Sequence, residues 1–162
     1  MTRPEADPDA VTVTETGIGK FQVEVLAAGA TFLADEPTDV GGLGSGPNPY
    51  ELLGSALGAC TAMTLRLYAE RKGWPLTRAT VRVLHSRSAA GQDRFHREVT
   101  LEGGLDADQR RRLMEIADRC PVHRTLEGGA RISSVMASPP DLAALERSGL
   151  GHMQAMEEAC AD

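Results

Sequence analysis

Aromatic side chains are scarce in this sequence, at 4% of its 162 residues. The core must therefore be filled by aliphatic and small side chains. The three cysteines are too few for a disulfide framework. In a reducing compartment such cysteines are most often small buried hydrophobes, and Cys160, close to the end of the sequence, is read that way. Basic stripes are missing. The net charge of −6 argues against nucleic acid and anionic membranes as partners. No run reaches the ~18 apolar residues of a spanning helix. The polar N-terminal stretch holds no apolar signal core, so a cytoplasmic protein is expected. There is no Gly-x-Ser-x-Gly elbow, and the glycine-rich run from Gly41 to Gly46 lacks the Lys-Ser/Thr of a phosphate loop. Close-spaced ligand pairs are absent, so a metal site built from Cys60, Cys120 and His85, His96 or His123 lacks its usual signature. No cofactor is expected.

What is present centres on one stretch, Gly46 to Leu65. Asn48 is placed to cap a helix, with Pro49 at its first position and Glu51 at capping-box spacing. The fourteen residues after Glu51 carry no charge and are rich in Gly, Ser and Ala. Such a segment predicts a helix whose first half is buried on every side. It should run from Pro49 to about Lys72, roughly 35 Å, with Gly73 as its cap and Pro75 beyond. Cys60 lies in the middle of the buried half.

The rest of the chain supplies walls. Val11–Thr16, the alternating residues around Phe21, Val23 and Val25, and Thr31–Leu33 predict an antiparallel meander. Asp35–Pro49, with its glycines and prolines, is a long loop. Ala79–His85 and Arg94–Leu101 read as a hairpin, with Phe95, Val99 and Leu101 facing inward. A second helix starts near Asp106, which stands at capping-box spacing from Gln109, and ends at Cys120-Pro121. Val122–Leu126 is read as a further helical turn, Arg131–Ala137 as a closing strand, and Asp141–Ala159 as a helical tail. The fold class is α+β, with antiparallel sheet packed on helices. The expected division is a flexible tail over 1–10, one domain over 11–138 and a helical tail over 139–162.

Two cysteines stand at special places. Cys60 is mid-helix in uncharged surroundings. Cys120 precedes the turn at Val122–Leu126, whose N-terminus would favour a thiolate, with His123 and Arg124 nearby. A redox pair would need the two Cα atoms within about 7 Å. Composition and spacing leave that open, along with two structural thiols.

Two blocks carry a likeness to a known family. One is Asp35-Glu36-Pro37, Gly41-Gly42, Gly46-Pro47-Asn48-Pro49-Tyr50-Glu51-Leu52-Leu53 and Ala56-Leu57-Gly58-Ala59-Cys60-Thr61-Ala62-Met63-Thr64. The other is Ile116-Ala117-Asp118-Arg119-Cys120-Pro121-Val122-His123-Arg124-Thr125-Leu126. Together they resemble the OsmC/Ohr family, over roughly Lys20 to Ala137 and more closely its OsmC-like branch. The resemblance implies a thiol peroxidase for organic hydroperoxides, active in oxidative stress defence. Cys60 would be the nucleophile that becomes a sulfenic acid, and Cys120 the resolving thiol that forms a disulfide with it. An external thiol or dithiol would be the reductant. An apolar pocket with residues such as Leu57 and Met63 would take the substrate. The resemblance also implies an intertwined homodimer, with sheets wrapped around long central helices, in which a partner covers what one chain leaves bare.

Glu51 matches the family's active-site carboxylate. Nine residues of helix before Cys60 put it on the opposite face, about 13 Å away, so it would serve the Cys60 of a partner subunit; otherwise it is only a capping residue. The family's better-known branches add an arginine from the N-terminal strands, yet none occurs between Arg3 and Arg66. Lys20, His123, Arg124 or a water network would take its place. Two alternatives to a peroxidase are a binding or redox-sensing protein for a small hydrophobic or thiol ligand, and a thioester hydrolase acting through Cys60.

Overall fold

The structure, a computed structural model, describes residues 10–137 and 151–161. The described chain forms two compact units that divide after Leu53.

The first unit is a meander of β1 (Thr12–Glu15), β2 (Val23–Ala27) and β3 (Ala30–Ala34), antiparallel in the order β1-β2-β3. The loop that follows is held by a side chain rather than by a ladder. The Asp35 carboxylate, 2% exposed, accepts from the amides of Glu36 (2.8 Å), Leu43 (3.0 Å) and Ser45 (3.3 Å) and from the Ser45 hydroxyl (2.8 Å). Burial opposes the charge, but the Ser45 hydroxyl and the three amides hold the Asp35 carboxyl below the usual carboxylate range. Gly46 passes so close to the Leu33 carbonyl that no Cβ fits there.

Helix α1 (Pro49–Arg71) runs from this unit into the next. Its start is the expected reciprocal cap: Glu51 N–H donates to Asn48 Oδ1 at 3.0 Å, and Asn48 N–H donates to Glu51 Oε2 at 2.8 Å. It ends at Gly73, whose φ of +64° lets the Gly73 and Trp74 amides reach back to the carbonyls of Glu70 and Ala69. By length and composition α1 would suffice to cross a bilayer. Its packing makes it a core helix, with Leu57, Cys60, Thr61, Thr64, Leu65, Tyr68 and Ala69 buried.

The second unit adds the hairpin β4 (Leu76–Arg87) and β5 (Asp93–Gly103), then α2 (Ala107–Ala117), α3 (Pro121–Gly128) and α4 (His152–Ala159). The hairpin's alternation is as expected, and α1 sets Gly54 and Gly58 against Val83. Asp106 and Gln109 form the expected capping box of α2. Leu65, Tyr68, Leu76, Leu113 and Ile116 make the main core, which also takes in Cys160. The architecture is α+β with antiparallel sheets.

Two expectations fail. Arg131–Ala137 is not a strand: among the described residues it has no ladder partner, and Ile132, Val135 and Met136 are 90%, 87% and 98% exposed. A strand needs a ladder partner, and within the described chain no sheet edge pairs with this segment. Nor is the first half of α1 buried all round. Leu53, Ala56, Ala59 and Met63 lie exposed along one side, because the walls built by one chain reach only the other side. Residues 1–9, nearly all of the expected N-terminal tail, and 138–150, the start of the expected C-terminal tail, lie outside the described residues.

Candidate active site

Three elements build the site. Helix α1 carries Cys60 inward, one turn from Leu57 and Thr64. The Cys120-Pro121 junction follows α2, which ends at Ala117, and starts α3, with Cys120 itself as the N-cap and Pro121 in the first turn. Helix α4 comes from the far end of the chain and packs on α3.

Cys60 and Cys120, at 2% and 0% exposure, share one buried cluster with Leu57. Both are free thiols, side by side in that cluster. The first turn of α3 serves both sulfurs. Val122 N–H donates to Cys60 Sγ, and His123 N–H donates to Cys120 Sγ, each at 3.4 Å. Free amides at a helix start are suited to hold negative charge on sulfur.

The pair shares its charge unequally. Cys120 is drawn well below the ordinary thiol range, first by the hydrogen bond from Cys60, then by the His123 amide, the Thr61 hydroxyl and the Arg97 guanidinium, against the cost of burial. Cys60 is pushed up, because it supplies that hydrogen bond and because it is buried; the Val122 amide works in the other direction. The two thiols therefore titrate as one coupled pair, with a proton shared between them.

Arg97 was not among the expected substitutes for the missing arginine. Its side chain, 9% exposed, donates to Thr61 Oγ1 at 2.9 Å, to the Ala117 carbonyl at 3.1 Å and to Asp118 Oδ1 at 2.7 Å. The signal was available: Arg97 has the same parity on β5 as the inward Phe95, Val99 and Leu101. The residues considered in its place stand otherwise. Lys20 lies over the Phe21 ring, the His123 imidazole pairs with Glu127 at 3.1 Å, and Arg124 donates its amide to the Cys120 carbonyl. His152 was also missed. Its Nε2 lies 3.2 Å from Cys60 Sγ. No local motif marks a residue that far along the chain.

Glu51 and Cys60 are nine residues apart along α1. Within the chain Glu51 closes the α1 cap. Leu57 lies against Cys60 as expected, whereas Met63 is 53% exposed.

Residues 42–135 match the family model described as OsmC-like protein. The chain belongs to the OsmC-like family. A search of curated proteins finds no match. Among solved structures, an OsmC like protein from Mycoplasma pneumoniae shares the fold with a TM-score of 0.63 and 20% identity, over 74% of this chain and 86% of that one. An organic hydroperoxide resistance protein from Legionella pneumophila gives 0.55 and 20%, over 74% and 90%. The organic hydroperoxide resistance protein OhrB of Bacillus subtilis gives 0.53 and 17%, over 74% and 91%. At these identities the likeness is one of fold, so the chemistry of this OsmC-like chain rests on its own residues.

Proposed function

We propose that the protein is a cytoplasmic, homodimeric thiol peroxidase that reduces organic hydroperoxides in oxidative stress defence. The observation that carries this reading is the contact of two buried thiols sixty residues apart, each served by an amide of α3. The Cys60 thiolate attacks the O–O bond, releases an alcohol and becomes a sulfenic acid. Cys120 then attacks the sulfenic sulfur, expels water and closes a disulfide, which an external dithiol reduces. The low proton affinity of Cys120 suits the second step, since a resolving thiol must be a thiolate when it attacks. Three free buried cysteines suit a reducing compartment. The names of the Legionella and Bacillus structures, hydroperoxide resistance proteins, agree with the substrate class.

The dimer rests on the apolar side of α1 left bare by one chain and on the unpaired, exposed segment around Ile132 and Val135. In such a dimer Glu51 would act on the partner's active site.

The test is a trap. Cys120→Ser, treated with an organic hydroperoxide in the presence of a sulfenate-specific dione, should carry one adduct, on Cys60. No adduct on Cys60, with the hydroperoxide unconsumed, would remove the peroxidase reading.

A further inference from the structure

His152 is the first residue of a helix whose other end is anchored. Met156, Ala159 and Cys160 are buried, Cys160 Sγ lies 3.7 Å from the Thr64 carbonyl, and Arg71 donates to the Glu157 carbonyl at 3.3 Å. These contacts fix α4 along α1 and set the His152 ring over Cys60, with Nε2 at 3.2 Å from the sulfur.

At this distance an Nε2–H of His152 donates to Cys60 Sγ. Imidazole is the side chain that gains and loses a proton near neutral pH.

We propose that His152 is a catalytic residue of the thiol pair: its Nε2–H stabilises negative charge on Cys60 Sγ and supplies the proton that the departing alkoxide needs. This rests on the peroxidase reading for its second half only. With the imidazolium in place, the Cys60 thiolate forms an S–O bond to the distal peroxide oxygen while the O–O bond breaks. Sulfur loses two electrons and the peroxide gains them. The alkoxide takes the Nε2 proton and leaves as the alcohol. The now neutral imidazole takes the proton of Cys120 as that sulfur attacks the sulfenic acid, the S–O bond breaks, and the imidazolium returns the proton to the expelled hydroxide, which leaves as water.

Several charged groups on the packed elements have other partners. On α3, His123 pairs with Glu127; between α1 and α4, Arg71 pairs with Glu157 at 3.9 Å. On the hairpin, Arg97 lies on the Cys120 side through Thr61, and His85, against the Phe95 ring, bonds Asp93 at 3.0 Å.

The experiment leaves Cys60 as the sole thiol, in Cys120→Ser/Cys160→Ser, and follows its thiolate absorbance against pH. His152→Gln in that background should raise the midpoint by about one unit, a tenfold change in proton affinity. Met153→Gln, at an exposed neighbour, should leave it in place, and equal melting temperatures show that α4 is intact. Coincident curves for the His152→Gln protein and its parent would overturn the proposal. In the protein with all three cysteines, His152→Gln should slow disulfide formation by hydroperoxide about tenfold at neutral pH, with the gap closing as the pH rises. A shifted midpoint without any hydroperoxide consumption by the wild type would uphold the Cys60–His152 pair and remove the peroxidase reading alone.

Discussion

The Thr61 hydroxyl stands between Arg97 and Cys120: its oxygen accepts from Arg97 Nη1 at 2.9 Å and lies 3.7 Å from Cys120 Sγ. A threonine one position from the candidate nucleophile thus links a buried guanidinium from the hairpin to the second thiol. Its only hydrogen has two places to go, the Leu57 carbonyl at 2.7 Å or the Cys120 sulfur. The positive charge behind it favours sulfur as a thiolate.

Arg97→Gln should therefore raise the pH at which Cys120 ionises, by about one unit, when thiolate absorbance is followed with Cys120 as the sole thiol. It should also cost about 1–3 kcal/mol of stability, because Thr61 Oγ1 and the Ala117 carbonyl lose their donor. The Asp118 partner adds little, since that carboxylate is largely exposed. Urea unfolding checks the second effect.

Asp35 should shape the acid limb of stability. A carboxyl whose folded pKa lies below its unfolded value stabilises the fold above the unfolded value, and that contribution is lost as the pH falls through the folded one. Wild-type stability should thus decline from about pH 4 downward. Asp35→Asn should be less stable at neutral pH and flatter across that window. Denaturant unfolding at a series of pH values measures this.

Two glycines should respond in opposite ways to alanine. At Gly46 the new methyl meets the Leu33 carbonyl, backbone that cannot swing aside, and the expected loss is about 2 kcal/mol. At Gly54 the nearest atom is Val83 Cγ1 at 3.6 Å, an ordinary contact. There alanine should be neutral or stabilise by up to about 1 kcal/mol through helix propensity. Melting temperatures of the two variants separate the cases.

Much of this was legible in the sequence, and the misses share a cause. The caps of α1 and α2, the Gly73 stop and the hairpin follow from local chemistry that a single chain satisfies by itself. Cys120 as an N-cap follows from the Cys-Pro junction. Arg131–Ala137 and the outer side of α1 follow patterns that need a second surface, which one chain does not supply. Arg97 was hidden because a charge on an inward strand position reads as noise until its acceptors, Thr61 and Ala117, are known to converge there. His152 reaches Cys60 through tertiary packing of α4, and no spacing rule encodes that.

The bare side of α1 gives a further test. Ala59→Arg sets a charge on the exposed small-residue side while leaving the buried side of the helix alone. Sedimentation should find twice the chain mass for the wild type and the single-chain mass for this variant.

The central claim is that Cys60 and Cys120 form one redox couple. Its most direct measurement is the intact mass and thiol count of the reduced protein after one equivalent of an organic hydroperoxide. The wild type should fall from three free thiols to one and lose the mass of two hydrogen atoms, with Cys160 still reduced and Cys60→Ser keeping both of its thiols. An unchanged mass and thiol count in the wild type, or the same thiol loss in Cys60→Ser, would contradict it.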